Sequence, residues 1–298
     1  MSPVKAYIRL LRPHQWTKNT IIFVGVMFSG RAVIVSDLLS SVIAFALFCM
    51  LSSAVYAIND AIDVERDRLH PSKKKRPLAA GLLPVWLAWV SFTFLSITSL
   101  VLSYYLLGLK FWSMAAFYLI LNLGYSFYLK RIVILDVMII AAGYVIRAVA
   151  GVFAIVAIST HEISLWLLIC TFFLALFLAL AKRRGELTDL NDLAPTTRDT
   201  LIKYSPKLLD EMIAVVTAST VMSYSLYTIW PETIERLDTR RMAFTIPIVI
   251  FGIFRYLYLI HRKGKGASPS KLIFTDIPLV LSVVLYGVTV FVVLYLMI

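Results

Sequence analysis

Residues Asn59 to Asp67 read NDAIDVERD: four carboxylates and an asparagine within nine residues, directly after an almost wholly apolar run. The stretch HPSKKKRP (70–77) follows at once, with consecutive cations from Lys73 to Arg76. On a helix, residues three, four and seven apart share a face. By that rule Asn59, Asp60, Asp63 and Asp67 point one way, while Glu65 points elsewhere into solvent. Carboxylates this close repel one another unless a cation joins them. Mg²⁺ takes oxygen ligands and is commonly held by one or two carboxylates plus substrate phosphates. The four residues therefore suit a Mg²⁺–diphosphate, with a solvated helix end as the plain alternative. Lys73, Lys74 and Lys75 read as a membrane anchor. Arg66 and Arg76 carry the planar fork that grips phosphate.

Outward from this stretch the chain is apolar. Of its 298 residues 60% are hydrophobic and 15% charged, against about 25% charged in ordinary soluble domains. Apolar runs near the length needed to cross a bilayer as a helix recur throughout. They read as nine spans, at 19–36, 38–58, 84–107, 111–129, 132–157, 163–181, 208–230, 243–260 and 277–298. The fold expected is an all-α integral membrane bundle, a single unit over residues 1–298. Residues 1–16 are expected to form an interfacial helix with Tyr7, Ile8 and Leu11 on its apolar side. No short apolar region with a small-residue cleavage site marks a removable signal peptide.

With the N-terminus placed in the cytoplasm, 22 of the 29 Lys and Arg fall on that side and five on the other. That imbalance sets the orientation, a multi-pass protein of the cytoplasmic (inner) membrane. The net charge of +12 thus belongs mostly to one face, available to anionic head groups or an anionic substrate. Nucleic acid is a poor fit, because the basic residues sit in short membrane loops. Cys49 and Cys170 fall inside spans and read as small core residues, and the four histidines show no metal-ligand spacing.

The acid stretch matches the NDxxDxxxD motif of the UbiA superfamily of intramembrane prenyltransferases, and NDAIDVERDRLHPSKKKRPLAAG resembles that family's run of acid motif, His-Pro, basic residues, Arg-Pro and Gly. The resemblance implies a nine-helix bundle with a polar pocket on the cytoplasmic side. In family members that prenylate aromatic rings a second acid motif follows span 6. Here that place reads LALAKRRGELTDLND, with Lys182, Arg183 and Glu186 first and Asp189 and Asp192 after them. Cations contact phosphate directly, so one acid motif with several Lys and Arg suits a substrate richer in phosphate. RPHQWTKN (12–19), YSFYLK (125–130), YVIRAVAG (144–151) and KRxxEL (182–187) are together similar to the decaprenyl-phosphate phosphoribosyltransferase branch.

That resemblance implies Mg²⁺-dependent transfer of 5-phosphoribosyl from phosphoribosyl pyrophosphate to a polyprenyl phosphate, with lipid bilayer around the protein and pyrophosphate released. Asn59, Asp60, Asp63 and Asp67 are then expected to hold the metal, Asp60, Asp63 and Asp67 being the catalytic acids. Lys18, Arg66, Arg76, Lys130, Lys182 and Arg183 are expected on phosphates, with Tyr125 and Glu186 on ribose hydroxyls or orienting the cations. Lys18 and Lys130 read equally as span anchors. Arg147 lies mid-span, where a charge needs a cavity or a partner. It is expected either to pair with Asp136, eleven residues earlier on the same face, or to reach the acceptor phosphate. The rival readings are an aromatic prenyltransferase using Asp189 or Asp192 for a second metal, and a transporter or binding protein for anionic lipids.

Overall fold

The structure is a computed structural model that describes residues 2–70, 73–155, 164–189, 201, 203–263 and 275–296. Every regular element among them is helical. We number the α-helices α1 (Pro3–Leu11), α2 (Phe23–Phe28), α3 (Val35–Ile62), α4 (Val64–Leu69), α5 (Val85–Phe127), α6 (Leu135–Phe153), α7 (Leu165–Asp189), α8 (Pro206–Ile229), α9 (Pro231–Leu237), α10 (Ile246–Lys263) and α11 (Ile277–Phe291). Among the described residues seven helical segments are long and apolar enough to cross a membrane.

Two expected spans arrive as one element. The 43-residue α5 contains Gly108 at φ 80°, ψ 179°, a conformation open to glycine and strained for other residues. Ser99 donates to the Leu47 carbonyl from one side of this break, and Tyr118 packs on Phe48 from the other. Both arms therefore meet α3 at the same level, and the chain doubles back at Gly108.

The span expected at 19–36 is not a continuous α-helix. Residues Pro13–Ile22 form a 3₁₀ segment, longer than such runs usually are, and α2 follows for only six residues. Irregular backbone is tolerated at membrane depth where protein covers it. Here Trp16 Nε1 donates to Ser53 Oγ, and Asn19 Nδ2 to Ser52 Oγ and Cys49 Sγ, all on α3. Cys49 and Cys170 are both buried and unbridged, as expected.

The N-terminal helix buries Ala6 and Leu10 against Ala57, Ala61, Leu78 and Ala88, with Tyr7 packed beside them, and leaves Ile8 about half exposed.

The seam of the molecule is α6. Ile146, Ala150 and Ala154 join a core with α3 and α5, and Val137 joins one with α7, α8, α10 and α11. Residues 22–25 run so close to α6 that a Cβ on Gly151 would stand 2.0 Å from the Ile22 carbonyl oxygen, and one on Gly25 would meet Gly151 backbone at 2.8 Å. Small residues let helices pack backbone to backbone where lipid supplies no hydrophobic drive. The π-helical turn Val292–Leu296 after α11 ties back to α2: Tyr295 Oη donates to the Met27 carbonyl at 2.8 Å and accepts from the Ala32 N–H.

Gly151→Ala forces backbone apart and is expected to lower the melting midpoint in detergent by roughly 5 °C or more. Gly124→Ala, whose Cβ meets only the tip of Leu129 at 3.4 Å, is expected to leave it unchanged or slightly raised. Differential scanning fluorimetry of the two variants checks the contrast.

Candidate functional site

Two charged clusters converge on one end of the bundle, with a third further in, and the order of the helices explains why. The C-terminal ends of α3, of the second arm of α5 and of α7, and the N-terminal ends of α6 and α8, all lie there, because the chain alternates direction.

The acid motif begins on α3, and Asp63 caps it at φ −93°, ψ 7° before α4 starts. That break splits the expected common face into two pairs. Asp60 Oδ1 and Asp67 Oδ2 accept from the same atom, Arg76 Nη1, Asp60 at 2.9 Å. Asp60 also accepts from Arg12. Asn59 and Asp63 share the other cation: Lys130 Nζ donates to both Asp63 oxygens at 2.7 and 2.8 Å and lies 3.5 Å from Asn59 Oδ1. Asp60, Asp67 and Lys130 are buried. Burial pushes the Asp67 carboxyl above its ordinary range, with Arg76 working against the shift.

The second cluster hangs on Asp136 at the start of α6. Arg183 Nε donates to Asp136 Oδ2 at 2.9 Å, Tyr204 Oη to Asp136 Oδ1 at 2.8 Å, and Arg183 Nη1 to Glu186 at 2.7 Å. Lys182, on the exposed side of α7, lies 3.7 Å from Glu186. Tyr125 is within electrostatic reach of Arg183. The two clusters approach each other at His70, which lies in the field of Glu186 and is kept below its ordinary pKa mainly by burial, with Lys73 and Arg76 adding to the effect.

The third cluster is deeper. Arg147 is 5% exposed. Its Nε donates to Asn19 Oδ1, its Nη1 to the Gly143 carbonyl and its Nη2 to Tyr118 Oη, at 2.8, 2.9 and 2.6 Å. It also lies over the Tyr118 and Tyr144 rings, at 4.6 and 5.4 Å from their centroids. Lys18 and Arg12 both face Tyr56, at 6.0 and 5.1 Å. The expected pair of Asp136 with Arg147 does not form: Asp136 is taken by Arg183 and Tyr204, and Arg147 keeps neutral partners.

Of the residues singled out in the sequence, then, Asp60 and Asp67 meet Arg76, and Asn59 and Asp63 meet Lys130. Tyr125, Lys182, Arg183 and Glu186 gather beside them, and Lys18 and Arg147 lie further in. Arg66 is exposed on α4. Asp189 closes α7, and Asp192 lies outside the described residues. Sequence reading passed over Arg12, Asn19, Tyr118 and Tyr204. Arg12 and Asn19 bracket RPHQWTKN, where a polar residue entering an apolar run is itself a signal, but Tyr118 and Tyr204 carry none.

As to metal, no three or more Asp, Glu, His or Cys side chains gather around one point among the described residues. The oxygens instead converge two by two, Asp60 with Asp67 and Asn59 with Asp63, each pair on one cationic nitrogen. An all-oxygen pair of this kind fits a hard divalent ion that completes its shell with substrate phosphate and water.

The UbiA prenyltransferase family model matches residues 20–296. The chain is 32% identical to the decaprenyl-phosphate phosphoribosyltransferase of Mycolicibacterium smegmatis, over 92% of this chain and 87% of that protein. It is 33% identical to the enzyme of the same name from Corynebacterium glutamicum, over 90% and 80%. A UbiA homolog from Archaeoglobus fulgidus bound to DMAPP and Mg²⁺ superposes with a TM-score of 0.73 over 97% of this chain and 98% of its own, at 21% identity.

Asp136→Asn leaves Arg183 Nε beside a neutral side chain while Nη1 keeps Glu186. Breaking a buried pair costs about 3–5 kcal/mol where the remaining charge is left alone; with Glu186 retained, a smaller but clear fall in melting midpoint is expected, with Asp136→Asn/Arg183→Met recovering part of it. An equal or further loss in the double variant contradicts the pairing.

Proposed function

The chain belongs to the UbiA prenyltransferase family, and from that premise we propose that it transfers 5-phosphoribosyl from phosphoribosyl pyrophosphate to a polyprenyl phosphate, releasing pyrophosphate. The observation that carries the reading is the surplus of positive charge around the acids. Arg76, Lys130, Lys182 and Arg183 crowd the carboxylates. Among the described residues, neither Lys18 nor Arg147 lies within ion-pair distance of a carboxylate. A donor and an acceptor that together carry several phosphates need such a surplus. The names of the relatives at 32 and 33% identity point the same way.

In the reaction an oxygen of the acceptor phosphate bonds to C1 of the ribose. The bond from C1 to the pyrophosphate oxygen breaks, and pyrophosphate leaves with the electron pair. A phosphate monoester has a second pKa near 6, so the attacking oxygen is largely ionised at neutral pH and needs no strong base. The demand on the protein is positioning and charge stabilisation of the leaving group. Asn59, Asp60, Asp63 and Asp67 would hold Mg²⁺, which when bound neutralises charge on the departing pyrophosphate. Arg76 and Lys130, now on Asp60, Asp67 and Asp63, stand within reach of the same phosphates. Lys182 and Glu186, at the mouth of the site, and Tyr125 beside Arg183 face the ribose and its 5-phosphate, and Arg66 adds charge at the rim.

In this reading the site opens to the cytoplasm, as the distribution of Lys and Arg favours, and α1 lies along the membrane surface. Residues 1–298 act as one nine-span unit, with the broken first segment and the two arms of α5 each counted as a crossing. A soluble donor enters from the charged end, and the lipid acceptor arrives through the bilayer.

Purified full-length protein in detergent is expected to release pyrophosphate only when phosphoribosyl pyrophosphate, polyprenyl phosphate and Mg²⁺ are all present. Asp63→Asn, which keeps an acceptor for Lys130, is expected to lower kcat by roughly a hundredfold or more with little change in melting midpoint. Turnover of a prenyl diphosphate with an aromatic acceptor, and none with the first pair, would overturn the reading.

A further inference from the structure

Arg147 is a buried guanidinium with an unusual set of partners. A buried charge is costly unless paired, and inside a membrane it ordinarily meets a carboxylate or marks a pathway. Here every partner is neutral: an amide oxygen, a backbone carbonyl and a phenol. Guanidinium has five N–H groups, and three are used. Lys18, half-buried, faces Tyr56 and has no carboxylate within 4 Å among the described residues. Tyr56 and Tyr144 are also only partly covered, so the cluster keeps a way in. Two positive charges and three tyrosines thus line one place where, among the described residues, neither cation pairs with a carboxylate, although acids crowd the next turn of α3.

The depth of this place is set by α3. Asp60 lies one turn from Tyr56 and two turns from Ser52, and Asn19 joins Ser52 to Arg147. At about 1.5 Å per residue, the Tyr56 turn that Lys18 faces stands roughly 6 Å, and the Ser52 turn joined through Asn19 to Arg147 roughly 12 Å, further along α3 than Asp60. Direct displacement at C1 brings the attacking oxygen in on the face opposite the leaving group. With pyrophosphate held at the acid motif, the attacking phosphate belongs on the inner side. A phosphate carried on a prenyl tail also reaches the pocket from the bilayer, whereas the soluble donor does not.

We propose that Lys18 and Arg147, set among Tyr56, Tyr118 and Tyr144, bind the phosphate monoester of the lipid acceptor on the membrane side of the acid motif. The name of the acceptor rests on the phosphoribosyl-transfer reading; the anion site rests on the cluster itself. The monoester brings close to two negative charges, matching the two cations. Tyr118 holds Arg147 in place as a positioning residue. The same chemistry would take the 5-phosphate of the donor, and the measurements separate the two.

The test uses full-length protein in detergent, a short-chain polyprenyl phosphate, and the polyprenyl alcohol of equal length as control. Direct binding of the lipid phosphate alone is measured by calorimetry, and KM for each substrate by pyrophosphate release. Lys18→Gln is expected to weaken binding of the lipid phosphate and raise its KM by roughly tenfold or more. It leaves KM for phosphoribosyl pyrophosphate within about twofold and binding of the alcohol unchanged. Arg147→Gln is expected to do the same more strongly. If its melting midpoint collapses, Lys18→Gln decides alone, because removing the Lys18 ammonium breaks no ion pair among the described residues. A raised KM for phosphoribosyl pyrophosphate with the lipid unaffected would assign the cluster to the donor and overturn the proposal. So would unchanged binding of the lipid phosphate by Lys18→Gln, or no binding by the unsubstituted protein. Binding needs no donor, so lipid phosphate bound through Lys18 without pyrophosphate release would leave the site standing and remove the transfer reaction instead.

Discussion

Charge cannot be left alone inside an apolar bundle, and the arrangement at the active end follows from how each charge is met. Asp136 is fully buried and takes Arg183 Nε on one oxygen and Tyr204 on the other. This joins the starts of α6 and α8 to the end of α7. Tyr204 Oη in turn accepts from the N–H of Ile134 at 2.7 Å, a residue at φ 69° that turns the chain sharply into α6. With that corner fixed, Lys130, four residues earlier, points at Asp63 across the gap to α3. The pairing therefore does more than neutralise a carboxylate: it sets the entry angle of α6, which carries Arg147 and packs against the close-approaching residues 22–25.

How much of this the sequence carries differs from cluster to cluster. The acid motif is visible because its residues are neighbours in the chain, and Arg76 and Lys130 are visible because phosphate chemistry asks for cations near it. The split into two pairs is not visible, since helical spacing assumes that the helix continues through Asp63. Arg147 announces itself as a charge in the middle of an apolar run, but its partners do not. Asp136 is the nearest acid on the same helix face, and local periodicity selects it. Tertiary packing instead brings Arg183 from 47 residues away. The first span shows the same limit. Its apolar composition fits a helix, while the 3₁₀ path depends on Ser52 and Ser53 of α3 offering partners to side chains from another segment.

That irregular entry decides which polar side chains reach the interior. A regular α-helix over Pro13–Ile22 would satisfy its own backbone and present its polar residues by the 3.6 period. The tighter 3₁₀ path places Trp16 and Asn19 on α3 and α6, and leaves Lys18 facing Tyr56. Polar groups supplied by broken helices in the middle of a bundle reach depths that a loop at the membrane surface does not.

The division between the acid cluster and the cluster of Lys18 and Arg147, which pair with no carboxylate among the described residues, also fits the demands of the two phosphates. A leaving pyrophosphate gains charge as its bond to C1 breaks, so strong stabilisation there lowers the barrier. An attacking phosphate oxygen loses charge as its bond forms. Stabilising it strongly in the ground state would hold it back, because only interactions that strengthen toward the transition state accelerate a step. Carboxylates that gather a divalent ion suit the first group. Lysine and arginine hydrogen-bonding to the non-attacking oxygens suit the second, since they orient the phosphate and offset its charge without occupying the nucleophile. Two repelling anions must also be brought to one carbon. A +12 chain with Arg12 between the clusters, on Asp60 and over Tyr56, supplies the positive charge that lets both approach.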